Sequence, residues 1–269
     1  MVKRIMYLLV LSLCLVLSAS LAFSYSGAKA TALKAAAVPT IDGKVSDGEW
    51  GDGIYLSKAV CLKGQAKYNG FGNVYQPDMI KDENDISGTI YCLWDEKNLY
   101  LAGKITDDDI YLEKGSGWDN DCNEIRFSPD GKAVIGLWIT PKLLNKNPGW
   151  YHKNDTNAFE STEESTLIKS TVTAAKGYEW EAAIPIADKT IAGVNPAAGR
   201  TVGYTVSIGD QDKGGAEYSM PCWSLNPDKW DWGIAFWGEV TFSAVTLSKP
   251  SAVSPNAKLT SSWGDIKTR

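Results

Sequence analysis

Between Pro39 and Ser243 the chain is a succession of short apolar–polar alternations broken by turn residues. GTIYCLWDEKNLYLAGKITDD reads as two strands around the turn DEKN, and DCNEIRFSPDGKAVIGLWIT as a second pair around PDG. TLIKSTVTAAKGYEWEAAIPI repeats the arrangement around AAKG, and RTVGYTVSIGDQD and FWGEVTFSAV supply two further runs. An alternation of period two places successive side chains on opposite faces of a strand. No long stretch carries a helical period, which argues against a parallel sheet with crossover helices. The pattern predicts an all-β chain, an antiparallel β-sandwich of jelly-roll or immunoglobulin-like type with roughly nine to eleven strands.

Two long segments interrupt the alternation: GQAKYNGFGNVYQPDMIKDENDIS and PKLLNKNPGWYHKNDTNAFESTEES. Loops of this length are usually functional or disordered. Their aromatic residues Tyr68, Phe71, Tyr75, Trp150 and Tyr151 argue against simple disorder. The first thirty residues read differently again. Lys3 and Arg4 precede the uncharged run IMYLLVLSLCLVLSASLAF, and Ala28-Lys29-Ala30 and Ser18-Ala19-Ser20 both have the character of cleavage sites. This is the layout of a secretory signal peptide. The expected organisation is a leader over 1–30, a β-sandwich over 31–245 and a polar tail over 246–269. The mature protein is then secreted, with no membrane segment left after cleavage.

Lys and Arg number 27 and Asp and Glu 32. Removal of the leader takes Lys3, Arg4 and Lys29 and leaves 24 basic against 32 acidic residues. An acidic surface excludes nucleic acid as the expected partner, because phosphate binding needs a basic one. His152 is the one histidine, which excludes a His-rich metal site and any catalysis resting on two histidines. Cys61, Cys92, Cys122 and Cys222 remain after export, where disulfides are possible, and their spacing chooses none of the three pairings. Cys92 and Cys122, inside strand-like runs, read equally well as small buried apolar residues.

Candidate chemistry lies in the indoles. Of the 11 tryptophans, Trp50, Trp94, Trp138 and Trp180 lie in or beside strand patterns and read as core. Trp118 does not: in GWDNDCNEIRF it sits in a Gly-rich approach to a strand, six residues before Glu124. An indole face can stack on the C–H face of a pyranose while a nearby carboxylate accepts its hydroxyl hydrogens. A second indole-rich loop, PCWSLNPDKWDWG, makes a two-tryptophan clamp possible.

In order and spacing, PTIDGKVSDGEW, LWDEKNLYLAGKITDDD, GWDNDCNEIRFSPDG, GYEWEAAIPI, VGYTVSIGDQD and FWGEVTF resemble the family 9 carbohydrate-binding modules. The resemblance covers about residues 38–243. It implies that Trp118 is one clamp indole and that Glu124 hydrogen-bonds the terminal sugar. It places the second indole ahead of Trp237-Gly238, with Trp230 first and Trp223 and Trp232 behind it. It also implies structural calcium, for which Asp42, Asp47 and Glu49 offer oxygen ligands and Asp107-Asp108-Asp109 a strand-end cluster. The implied partner is cellulose, xylan or a related glycan, recognised without catalysis. Two other classes remain: a glycoside hydrolase with paired carboxylates, and a haem-binding sandwich using Met79, Met220 or His152.

Overall fold

A computed structural model describes residues 27–57, 80–112, 120–140, 149–153, 159–162, 167–173, 176–212, 217–223 and 237–248. Trp118, Trp230, Trp232, Cys61, Met79, most of the leader and nearly all of the tail lie outside them. Among the described residues the strands are β1 (Lys29–Lys34), β2 (Ile54–Ser57), β3 (Ile86–Trp94), β4 (Asn98–Asp107), β5 (Cys122–Ser128), β6 (Ile135–Thr140) and β7 (Gly149–Lys153). They continue as β8 (Phe159–Thr162), β9 (Ile168–Thr173), β10 (Gly177–Pro185), β11 (Thr201–Asp212), β12 (Glu217–Ser219), β13 (Cys222–Trp223) and β14 (Gly238–Thr246). A 3-10 turn, Lys189–Ile191, is capped by Asp188.

The fold is all-β, and the three hairpins expected from DEKN, PDG and AAKG form as β3–β4, β5–β6 and β9–β10. In the first, Asp95 Oδ1 accepts the backbone N–H groups of Lys97 and Asn98 at 2.7 Å and fixes the turn. Eleven strands follow one path, β8-β7-β6-β5-β11-β14-β1-β3-β4-β10-β9, with β12 and β13 on β11 and β2 on β3.

The sheet is not purely antiparallel. β1 runs parallel to both β14 and β3 and joins the two halves of the path. Its residues, KATALK, alternate too weakly to signal a strand, and local alternation carries no information about a parallel partner. Its first two residues fall inside the stretch assigned to the leader, yet Lys29 and Ala30 pair with Glu239 and Val240.

The halves close on each other face to face. Ile125 and Phe127 of β5 and Val202, Tyr204, Val206 and Ile208 of β11 share one core with Leu99, Leu101 and Ile105 of β4 and Tyr178 and Trp180 of β10. The Trp180 indole N–H donates to Asn123 Oδ1 across the gap, and Asn123 Nδ2 donates to the Tyr178 hydroxyl at 3.3 Å. Gly103 makes room for this indole: a Cβ there would lie 2.2 Å from Trp180 Nε1.

The outer face of the β3–β4–β10 half is covered by residues 41–50. Glu181, fully buried, accepts the N–H groups of Asp42 and Gly43 and the Trp50 indole N–H, each at 2.9 Å. Burial still pushes its carboxyl above the usual range. Trp50 and Val45 pack with Leu93, Tyr100 and Ala102 as a second cluster. Trp50, Trp94, Trp138 and Trp180 are all buried.

Trp180→Ala removes the side chain that spans the two halves. It is expected to lower stability by about 3–5 kcal/mol, read from urea denaturation; a loss below about 1 kcal/mol would contradict the account.

Candidate functional site

β5 has all seven residues buried, and its alternation sorts them to two faces. Asn123, Ile125 and Phe127 point into the core between the halves. Cys122, Glu124, Arg126 and Ser128 point to the other side. There Glu124 lies between Trp138 of β6 and Ser207 of β11, its direct cross-strand neighbours. Arg126 lies between Gly136 and Thr205.

Glu124 and Arg126 form an ion pair through Oε2 and Nη2, with side chains only 6% and 4% exposed. Residues i and i+2 of a strand share a face, so the pair follows from the sequence Glu124-Ile125-Arg126 read on the pleat. The Arg126 guanidinium lies 5.8 Å from the centre of the Trp138 ring, a cation–π distance. Gly136 gives the indole its place: a Cβ there would come within 2.9 Å of the ring. Ser207 and Ser128 carry buried hydroxyls with no hydrogen-bond partner among the described residues.

The result is a polar strip of carboxylate, guanidinium, indole and hydroxyls on a rigid sheet. Arg126 occupies Oε2 of Glu124 and leaves Oε1 for another donor. Arg126, Trp138 and Ser207 were not singled out as ligand groups from sequence. Their signal was present in the phase of the alternation, since each sits on the same side of its strand as Glu124.

Trp223 is placed elsewhere. It pairs with Val206, so its ring lies on the core side of β11, and it is half-buried, 5.9 Å from the Tyr204 ring and over Gly238. The structure therefore does not bring Trp223 together with Glu124. Trp118 lies between Leu112 and Asn120, just ahead of β5, and Trp230 between β13 and β14; neither is among the described residues. No disulfide joins Cys92, Cys122 and Cys222 to one another; each is a thiol.

A second constellation sits at the end of the core. Asp107 ends β4, Asp121 leads into β5, Asp210 and Asp212 end β11, and Asp85 leads into β3. All five are buried. Asp107, Asp121 and Asp210 each bring one carboxylate oxygen within 4.8 Å of the others, as do Asp85, Asp210 and Asp212. Asp107 Oδ2, Asp210 Oδ1 and Asp212 Oδ1 are buried with no hydrogen-bond partner among the described residues. Burial, reinforced by the neighbouring carboxylates, pushes the Asp107 carboxyl up to about 7, Asp210 to about 8 and Asp212 to about 6, and raises Asp121 well above its usual range. Hard oxygen donors with unfilled valences suit calcium. Of the loop carboxylates Asp42, Asp47 and Glu49, Asp42 Oδ1 accepts the Lys44 N–H and Glu49 Oε1 the Thr40 N–H.

The model of the family described as carbohydrate family 9 binding domain-like matches residues 41–244. Exoglucanase XynX of Acetivibrio thermocellus is 23% identical over 169 residues, which are 62% of this chain and 13% of that protein. The chain thus spans a small part of the length of that relative. A family 9 carbohydrate-binding module of Caldicellulosiruptor kristjanssonii, solved with glucose, superposes with a TM-score of 0.50 at 15% identity, over 83% of this chain and 100% of that one. A Bacteroides uniformis protein thought to bind carbohydrate gives 0.52 at 12% identity, over 81% and 100%. These likenesses concern the fold.

Arg126→Met leaves a charged, buried Glu124 without its partner. It is expected to cost about 3–5 kcal/mol. Adding Glu124→Gln should return part of the loss, as measured by a double-mutant cycle in urea. A double variant no more stable than Arg126→Met would show that the two do not act as a pair.

Proposed function

Because the chain belongs to the carbohydrate family 9 binding domain-like family, whose members bind sugars without transforming them, we propose that the strip on the outer face of β5, β6 and β11 is where this carbohydrate-binding module reads its sugar. The observation that carries the reading is Glu124. It is held rigidly by Arg126, has one oxygen left for a hydroxyl hydrogen, and follows the indole of Trp118 by six residues. Charge-assisted hydrogen bonds of this kind are roughly twice as strong as neutral ones. Ser207, directly opposite, offers a hydroxyl with no other partner.

In this reading Trp118 is the stacking platform and Trp230 its opposite wall. With Trp223 turned to the core side of β11, Trp230 is the better second indole. One hydroxyl on the remaining Glu124 oxygen and a second on Ser207 would favour a chain end, and the acidic surface suits neutral glycans of the cellulose or xylan type.

The aspartates at the end of the core are the residues that would hold calcium: Asp85, Asp107, Asp121, Asp210 and Asp212. Their buried, unpartnered oxygens support this assignment. A calcium ion held there would supply positive charge to a buried anionic cluster. The protein is secreted in this account, and the pairing of Lys29 and Ala30 in β1 favours cleavage upstream, at Ser18-Ala19-Ser20, over cleavage after Ala30. No helix among the described residues is long and apolar enough to cross a membrane.

Trp118→Ala is expected to remove most affinity for cello-oligosaccharides while leaving the melting temperature in place, measured by calorimetric titration beside a thermal scan. Undiminished binding would defeat the platform. Glu124→Gln should weaken binding too, and intact oligosaccharides should bind more tightly than their reduced alditols, whose end ring is open.

A further inference from the structure

The strip around Glu124 occupies the outer face of one half of the sheet. The outer face of the other half, where β4, β10 and β9 run side by side, carries a cavity of about 500 Å3. Tyr178 and Trp180 of β10 point into the core, so Gly177 and Glu179 take the outer face. Glu179 stands between Lys104 of β4 and Thr171 of β9, its direct cross-strand neighbours. Two residues before it, Gly177 leaves the face without a side chain. Its φ is 109°, and a Cβ there would lie 1.9 Å from the Ile105 carbonyl oxygen, so glycine alone fits. Bare backbone therefore lines the cavity at this point, with Lys44, Lys176 and Thr106 around it. Lys44 comes from the segment 41–50 that covers this half.

The charge of the lining runs against that of the chain. Three ammonium groups, Lys44, Lys104 and Lys176, meet one carboxylate, Glu179. Three positive charges and one negative leave +2, in a chain whose formal net charge is −5. Glu179 is already engaged: Oε2 accepts the Val45 N–H at 2.6 Å, and Oε1 lies 3.7 Å from Lys104 Nζ. That separation is too long for a hydrogen bond, so the Lys104 ammonium keeps its donors for another acceptor. Lys44 and Lys176 are exposed and pair with no carboxylate among the described residues. Like charges gathered around one cavity repel, and an anion placed among them relieves the repulsion. The volume lies in the range of small-molecule sites, roughly 300–1,000 Å3. Thr106 and Thr171 add hydroxyls that both donate and accept, which suits a hydroxylated ring.

We propose that this cavity binds a carboxylate-bearing sugar ring, a uronate, with its carboxylate among Lys44, Lys104 and Lys176 and its hydroxyls against Thr106 and Thr171. That a sugar carries the carboxylate rests on the function proposed above; the attraction of an anion does not. Cavity and strip lie on opposite outer faces of the sheet halves, so a neutral ring at one leaves the other open to an acidic ring.

The test titrates the full mature chain with sodium glucuronate, glucose and sodium phosphate, each followed by proton–nitrogen correlation spectra. Glucuronate is expected to shift the backbone amides of Lys44, Lys176 and Gly177, and glucose to leave them in place. Glucuronate affinity should fall at least about threefold between low salt and about 0.3 M sodium chloride, because exposed charges are screened. The double substitution Lys44→Ala with Lys176→Ala should lose about tenfold, since charge-assisted hydrogen bonds go with the ammonium groups. Lys44→Arg with Lys176→Arg should keep the affinity, and circular dichroism checks that both variants fold. An unweakened alanine variant, glucuronate shifts confined to other surfaces, or equal shifts with glucose overturn the site. Phosphate that displaces glucuronate at equal concentration marks a general anion patch and overturns it as well. Cello-oligosaccharide binding, expected to survive in the alanine variant, separates this site from the strip. A chain that takes glucuronate here but no cello-oligosaccharide keeps this site and loses the strip, and the converse loses this site alone.

Discussion

Burial of both faces of β5 is the constraint on which the rest of the structure depends. Its odd residues build the core between the two halves of the sheet, and its even residues build the strip around Glu124. A slip of one residue would send Glu124 and Arg126 into the apolar core and Ile125 and Phe127 to the opposite face. The register is held from both neighbours, β6 and β11, and from across the core by the Trp180–Asn123 hydrogen bond. The residue that leads into the strand, Asp121, belongs to the acidic cluster. Core, polar strip and acidic cluster are thus parts of one continuous segment.

The fold buries carboxylates in three ways. Glu181 is surrounded by three N–H donors and anchors the segment over the outer face. Glu124 is neutralised by Arg126 on the same strand. The aspartates at the end of the core have neither solution: among the described residues, Asp107 Oδ2, Asp210 Oδ1 and Asp212 Oδ1 have no hydrogen-bond partner. Backbone donors and a guanidinium come with the chain, so the first two sites are complete as folded.

Much of this was legible in the sequence because it is local. Turn residues and period-two alternation gave the three hairpins and the core roles of Trp50, Trp94 and Trp180. Trp138 is buried as expected, but beside Arg126 and not in the main core. The parallel strand β1 was not legible, since KATALK carries almost no pattern and its partners lie about 60 and 210 residues away in sequence. The acidic cluster was hidden for the same reason. Asp107 was noticed within a run of three, but Asp85, Asp121, Asp210 and Asp212 converge only when strand ends from both halves meet. Trp223, in an indole-rich loop, lies opposite Val206 and takes the core side of β11, whereas Ser207, one residue on, faces Glu124, a difference of phase that its loop does not reveal.

The central claim is that sugar meets the face of β5 that carries Glu124 and not the face that carries Asn123. Two indole N–H signals report on these faces separately, Trp138 on the first and Trp180 on the second. A proton–nitrogen correlation spectrum of the full mature chain, titrated with cello-oligosaccharide in the presence of calcium, should shift the Trp138 indole signal and the backbone amides of Glu124, Arg126 and Ser207. The Trp180 indole signal should stay in place. Shifts confined to other surfaces, with the Trp138 and Glu124 signals unmoved at saturation, would contradict the account.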